Sequence, residues 1–179
     1  MDPLKEKFYQ KSVALKADIK SIVKEHGDKI VDQVTVEQLI GGMRSVKSMI
    51  WDTSSLDPEE GIRFRGYNIP QLREILPRVP NGKEPLPEGL FWLMLTGDLP
   101  TTDEVRWLSA EWSRRSGVAE HVFDTIKGLP KETHPMTQFS IAILAMQSDS
   151  IFAKRYEEGM SKNDYWDAMY EDSMHMIAS

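Results

Sequence analysis

The stretch PMTQFSIAILAMQ, Pro135 to Gln147, holds no charged residue in a chain that is 28% charged. Met136, Phe139, Ile143 and Met146 recur three and four residues apart, with Ala142 and Ala145 between them, which is the spacing of a helix. A helix with no charged face is either a core helix or an interface helix. At its entrance, Thr133-His134-Pro135 places an imidazole where it acts as a cap or reaches a ligand. Reading outward, the same period returns on both sides, and the fold class it predicts is mainly α.

Upstream, Val122, Phe123 and Ile126 mark a helix closed by Lys127-Gly128. Thr101 and Glu104 have capping-box spacing ahead of the stripe Val105, Leu108 and Trp112, and Arg114 and Arg115 suit the end of that helix. Pro87 suits a first helical turn and Gly97 an exit, with Leu90 to Leu95 apolar on every side between them. That short helix must be buried. Leu4, Phe8, Leu15, Ile19 and Ile22 draw one stripe on a long surface helix ending at Gly27. Downstream, one helix surrounds Ile151, Phe152 and Tyr156, and another carries Trp166, Met169, Tyr170 and Ile177. This last one reaches Ser179 with no stop signal, so the chain reads as cut within a helix.

Three short stretches read instead as strands: Val34 and Val36 with polar neighbours, Met49-Ile50-Trp51, and Ile62 with Phe64. Leu56 to Gly61 contains Pro58 and Gly61 and should reverse the chain. A small β-hairpin near residues 49–65 is expected beside the helices. No repeat, low-complexity tract or linker divides the chain, so residues 1–179 read as part of one domain.

The 179 residues carry a net charge of −6, 40% hydrophobic residues and no cysteine. Disulfides, thiolate metal sites and cysteine nucleophiles are excluded. The acidic balance predicts no general attraction to nucleic acid or to membranes, so an anion site needs a local basic cluster. One exists: Arg44 and Lys47, then Arg63 and Arg65 on one strand face, then Arg73 and Arg78. Gly41-Gly42 ahead of Arg44 permits close backbone approach. The alternative is a set of salt bridges to Asp57, Glu59 and Glu60. His26, His121, His134 and His175 have no metal-ligand spacing, and His175 reads as a partly buried helix histidine. No Walker loop, Gly-x-Gly-x-x-Gly fingerprint or Gly-x-Ser-x-Gly elbow is present.

As strings, Gly41-Gly42-Met43-Arg44, LDPEEGIRFRGYNIP from Leu56, EPLPEGLFWLMLTGDLPT from Glu84, WLSAEWSRRS from Trp107 and HPMTQFSIAILAMQSDSIFAKRYEEG from His134 closely resemble citrate synthase of the dimeric type. The resemblance implies a multihelical fold whose large domain would include residues 1–179 as its N-terminal part. It also implies condensation of acetyl-CoA with oxaloacetate to give citrate and CoA, an acyl transfer in the tricarboxylic acid cycle. The family uses an aspartate base and two histidines from the second half of a longer chain, and none of the four histidines matches them. No catalytic residue is therefore expected here, and the chain alone is expected to be inactive. The arginine of the Gly-Gly-Met-Arg stretch contacts coenzyme A phosphates, and Arg44 holds that position. His134 matches a family histidine at the entrance of an interface helix and receives no catalytic role.

The resemblance further implies acetyl-CoA as co-substrate with no tightly bound cofactor and no metal. It implies a homodimer through helices near 119–127 and 135–147, with neither nucleic acid nor membrane as a partner. Location would be the mitochondrial matrix in a eukaryote or the cytoplasm in a bacterium. The rival reading is a helical dimerisation module without catalysis.

Overall fold

The structure is a computed structural model that describes residues 2–46 and 53–179. It divides into two compact units, one up to Val105 and one from Arg106.

The first unit is organised around a helix that has no polar face, α4 (Pro87–Thr96). Pro87 opens it and Gly97, at φ 77°, closes it in the left-handed conformation, as the sequence predicts. Trp92 and Leu93 are fully buried, and Gly89 and Thr96 are buried with them. Helix α1 (Pro3–His26) starts from an Asp2 cap, with Lys5 N–H donating to its carboxylate at 2.9 Å, and lies against α4. Its Leu4 is fully buried. The Lys7 ammonium sits 5.5 Å from the Trp92 ring centroid and forms ion pairs with Asp98 and Glu104. On the far side of α4, Leu93 packs with Leu72 and Leu76 from α3 (Ile69–Ile75) and its end, joined by Phe64, Tyr67 and Leu90.

The hairpin is present. Strand β1 (Ser54–Asp57) pairs antiparallel with β2 (Gly61–Phe64), Leu56 opposite Ile62. The Asp57 carboxylate accepts from the Glu59 and Glu60 amides at 2.8 Å each, and Gly61 takes φ 91°. Those amides, Glu60 first, hold Asp57 below the usual carboxylate range. Strand β2 then turns into β3 (Tyr67–Asn68) through Arg65 at φ 49° and Gly66 at φ 89°, the two left-handed residues a tight hairpin requires. The expected strand at Met49-Ile50-Trp51 lies outside the described residues. The one expected at Val34 to Val36 is not formed. Thr35 instead caps α2 (Val36–Ile40), exchanging hydrogen bonds with Gln38 in a capping box, a local signal that outweighs the alternation of two valines.

Helix α5 (Thr102–Arg115) begins with the expected box, Thr101 N–H donating to Glu104 at 2.7 Å and Glu104 N–H to Thr101 Oγ1 at 3.2 Å. In the second unit, α6 (Glu120–Lys127) packs on α7 (Pro135–Ala145), followed by a 3-10 turn, Met146–Asp149. Helix α8 (Ile151–Glu157) then packs on α9 (Tyr165–Ala178). Asp172 of α9 reaches the start of α8: its carboxylate accepts from Ser150 Oγ at 2.6 Å, Ile151 N–H at 2.7 Å and Phe152 N–H at 3.1 Å. Arg115 bridges Glu111 and Glu171 at 2.6 Å each, and His175 Nδ1 donates to the Arg115 carbonyl at 3.2 Å.

The Glu111 carboxyl is held at about 2, below its ordinary 4.5, by hydrogen bonds from Arg114 and then Arg115, against partial burial. A depressed folded-state pKa stabilises the fold above the unfolded value, and the contribution is lost as pH falls from about 4.5 toward 2. Arg114 is 67% exposed, so water screens that bond, and the group contributes about 1–3 kcal/mol rather than the whole shift. Glu111→Gln should therefore destabilise at neutral pH and flatten stability against pH across this window, as read by urea unfolding at successive pH values. A variant that keeps the wild-type slope would exclude the ion triad as its source.

Arg65 donates to the Met94 carbonyl from Nη2 at 2.7 Å and Nε at 3.1 Å, satisfying a C-terminal acceptor of α4. Arg65→Ala should cost about 1–3 kcal/mol, seen as a lower urea midpoint at unchanged slope. Arg65→Gly should cost less, since glycine relieves the left-handed backbone while losing the same hydrogen bonds.

Candidate functional site

Arg44 stands on the loop that leaves α2. The glycines ahead of it terminate the helix: Gly41 N–H donates to Glu37 O at 2.8 Å and Met43 N–H to Gln38 O at 2.7 Å, with Gly42 at φ 75°. These amides are therefore occupied by carbonyls and do not form a cradle for an anion. Met43 and Ser45, on either side of Arg44, both take φ 62°. Such conformations are strained for non-glycine residues. They hold Arg44 on an exposed turn.

The expected basic cluster separates into individual roles. Arg63 forms a two-pronged ion pair with Glu60 and donates to Gly66 O at 2.8 Å. This matches the salt-bridge alternative for that residue. Arg73 pairs with Glu84, an acid eleven positions away. Arg65 serves α4, and it does not share a strand face with Arg63, because β2 ends at Phe64 and Arg65 begins the turn. Lys47 lies outside the described residues. Arg44 and Arg78 are exposed, and neither makes an ion pair or side-chain hydrogen bond with the described residues.

Of the histidines, His134 caps α7, its Nδ1 accepting from Met136 N–H at 3.1 Å. His121 Nε2 donates to Ala145 O at 2.9 Å, at the end of the same helix. His175 is partly buried on α9, as expected. Among the described residues, no group of three or more His, Cys, Asp or Glu is placed to hold a metal ion.

The charge-free helix α7 lies at the surface of the chain. No residue of α7 is buried; Phe139 is 59% exposed and Leu144 74%. Phe123 of the neighbouring α6 is also exposed. The helix is therefore not a core element of this chain, and it presents a broad apolar surface. Beside it, a cavity of about 290 Å³ is lined by Ile143, Leu144, Met146, His175 and Met176. A second one, about 520 Å³, lies among Arg155, Glu158, Met160, Asp164 and Trp166.

Asp172 escaped sequence reasoning. Its partners lie about twenty residues away, and no local spacing marks a carboxylate that caps a different helix.

The family model described as "Citrate synthase, C-terminal domain" matches residues 42–179. The mitochondrial citrate synthase of Aspergillus niger is 51% identical over 175 residues, 98% of this chain and 37% of its own length. That of Xiphias gladius is 51% identical over 160 residues, 89% of this chain and 34% of its own. That of Neurospora crassa is 50% identical over 175 residues, again 98% and 37%. The chain thus spans little more than a third of the length of these relatives. A mainly helical fold, a matched model over most of the chain and half-identity across nearly all of it agree: the chain belongs to the citrate synthase family.

Proposed function

We propose that this chain serves a citrate synthase, which joins the acetyl group of acetyl-CoA to oxaloacetate and releases citrate and CoA. The observation that carries the reading is the 51% identity sustained over 175 residues. In this reading the chain supplies scaffold, a dimer surface and one coenzyme A contact. The enolising aspartate and the two catalytic histidines belong to segments it does not match. The relatives are named mitochondrial, which supports a mitochondrial location in a eukaryote, in this reading the matrix.

Arg44 is the residue proposed to meet the coenzyme A phosphates. An exposed guanidinium with no partner among the described residues is available for charge-assisted hydrogen bonds, and the residues on either side of it take left-handed backbone conformations. The dimer surface is proposed on α6 and α7, supported by the absence of charge from Pro135 to Gln147 and the exposure of Phe139 and Leu144.

The test is oxaloacetate-dependent thiol release from acetyl-CoA. The isolated chain should give none, and activity above a mock purification would overturn the assignment of the chemistry to other segments. In a full-length citrate synthase carrying these residues, Arg44→Ala should raise the KM for acetyl-CoA by an amount worth about 1–3 kcal/mol, with a smaller effect on kcat. Arg44→Lys should recover part of the loss, keeping charge without the fork, and Arg78→Ala should change little. An unchanged KM in a folded Arg44→Ala enzyme would remove Arg44 from the site.

Phe139→Asp or Leu144→Asp should weaken self-association of the chain in sedimentation while circular dichroism stays unchanged. Wild-type chain that sediments as a monomer and binds no hydrophobic dye would contradict the interface.

A further inference from the structure

Gln38 joins the start of α2 to the turn that carries Arg44. Its amide donates to Thr35 Oγ1 at 3.2 Å, and its side-chain Oε1 accepts from the Thr35 amide at 2.9 Å. These two bonds are the capping box of α2. The Gln38 carbonyl then accepts from Met43 N–H at 2.7 Å, across both glycines, and so reaches the residue next to Arg44. Beyond Arg44, Val46 N–H donates back to Met43 O at 3.4 Å.

Helix α2 has little else to hold it. It is five residues long and none is buried, with Val36 72% exposed and Ile40 83%. A helix this short does not persist in water on propensity alone, so the box at its first turn governs how often Gln38 offers its carbonyl in the helical position. The turn that follows is costly in its own right. Met43 and Ser45 both take φ 62°, a conformation that non-glycine residues keep only where their surroundings enforce it. Once the Met43–Gln38 bond opens, both residues can return to ordinary negative φ, and the Arg44 backbone moves with them.

We propose that Thr35 and Gln38 are positioning residues for Arg44, acting through the Gln38 carbonyl and the Met43 amide to keep the guanidinium where it meets the coenzyme A phosphates. The inference rests on the reading of Arg44 as a coenzyme A contact and adds the part of the chain that presents it. A ligand that binds only the ordered turn loses apparent affinity in proportion to the fraction of molecules in which the turn is ordered. The box therefore acts on binding of the co-substrate and not on the chemical step.

Two measurements test it. In the chain itself, amide exchange at Met43 should speed up about threefold to tenfold in Thr35→Ala, the range to which a lost helix cap corresponds, and return to the wild-type rate in Thr35→Ser. In a full-length citrate synthase carrying these residues, Thr35→Ala should raise the KM for acetyl-CoA by about the same factor, leaving kcat and the KM for oxaloacetate unchanged. Gln38→Leu removes the other half of the box and should behave likewise, whereas Gln38→Glu keeps the acceptor and should behave as wild type. In an Arg44→Ala background, Thr35→Ala should change that KM no further. Asn68→Ala, which breaks the corresponding box on α3, should leave it unchanged.

The outcomes separate the two readings. If Arg44→Ala raises the KM and Thr35→Ala does not, positioning is overturned and Arg44 stays as the contact. An unchanged KM in Arg44→Ala overturns the contact and this inference together. An equal rise for Thr35→Ala with and without Arg44, or a matching rise in Asn68→Ala, makes the box a matter of general stability and overturns positioning. Unchanged Met43 exchange in Thr35→Ala breaks the link at its first step.

Discussion

A helix that is apolar on every side cannot rest against one neighbour, and α4 imposes that condition on the first unit. Ten residues from Pro87 to Thr96 contain one charge, Glu88, in the first turn. Trp92 and Leu93 reach zero exposure only because α1 covers α4 from one direction while α3 and the hairpin supply Leu72, Leu76, Phe64 and Tyr67 from another. Burying a Trp or Leu side chain contributes about 1.5–3 kcal/mol each, more than any exposed ion pair in the unit can. The polar contacts are arranged around this burial. Arg65 attends to the C-terminal carbonyls of α4, and Thr96 Oγ1 turns back to Trp92 O at 2.9 Å.

Elements whose signals are local were legible from the amino acids. The Pro87 start and Gly97 exit of α4, the Thr101–Glu104 box of α5, and the Pro58–Gly61 reversal each depend on residues within a few positions of one another. All three stand where they were expected. The misreading at Val34 and Val36 has the same origin. Two alternating valines are a weak sign of a strand, whereas Thr35 and Gln38 close a reciprocal pair of hydrogen bonds that a single turn of helix completes without help from a sheet.

The candidate site was less legible because charge partners are chosen by tertiary geometry. Six basic residues from Arg44 to Arg78 form a cluster on paper. In space, Arg73 turns to an acid beyond the next loop and Arg65 turns to a helix end twenty-nine positions away. Arg44 and Arg78 have no such partner among the described residues, and no one-dimensional pattern reports that. Family likeness supplied the position through the Gly-Gly-Met-Arg string. The structure adds that the two glycines are occupied in ending α2.

Asp172 gives the second unit a mechanical property that its helix lengths alone would not suggest. Helix α8 has seven residues, too few to hold together in water by itself, and its first amides are satisfied by a carboxylate that belongs to α9. Phe152 adds an edge-on contact with Tyr165, ring centroids 5.1 Å apart, at the start of α9. With the start and the middle of α9 both tied to the same short helix, α8 gains its order only when α9 is already in place. The pair is a single cooperative unit of opening and closing. A disturbance that lifts α9 would release the amides of Ile151 and Phe152 to solvent exchange together with it, although neither residue lies on the helix that moved.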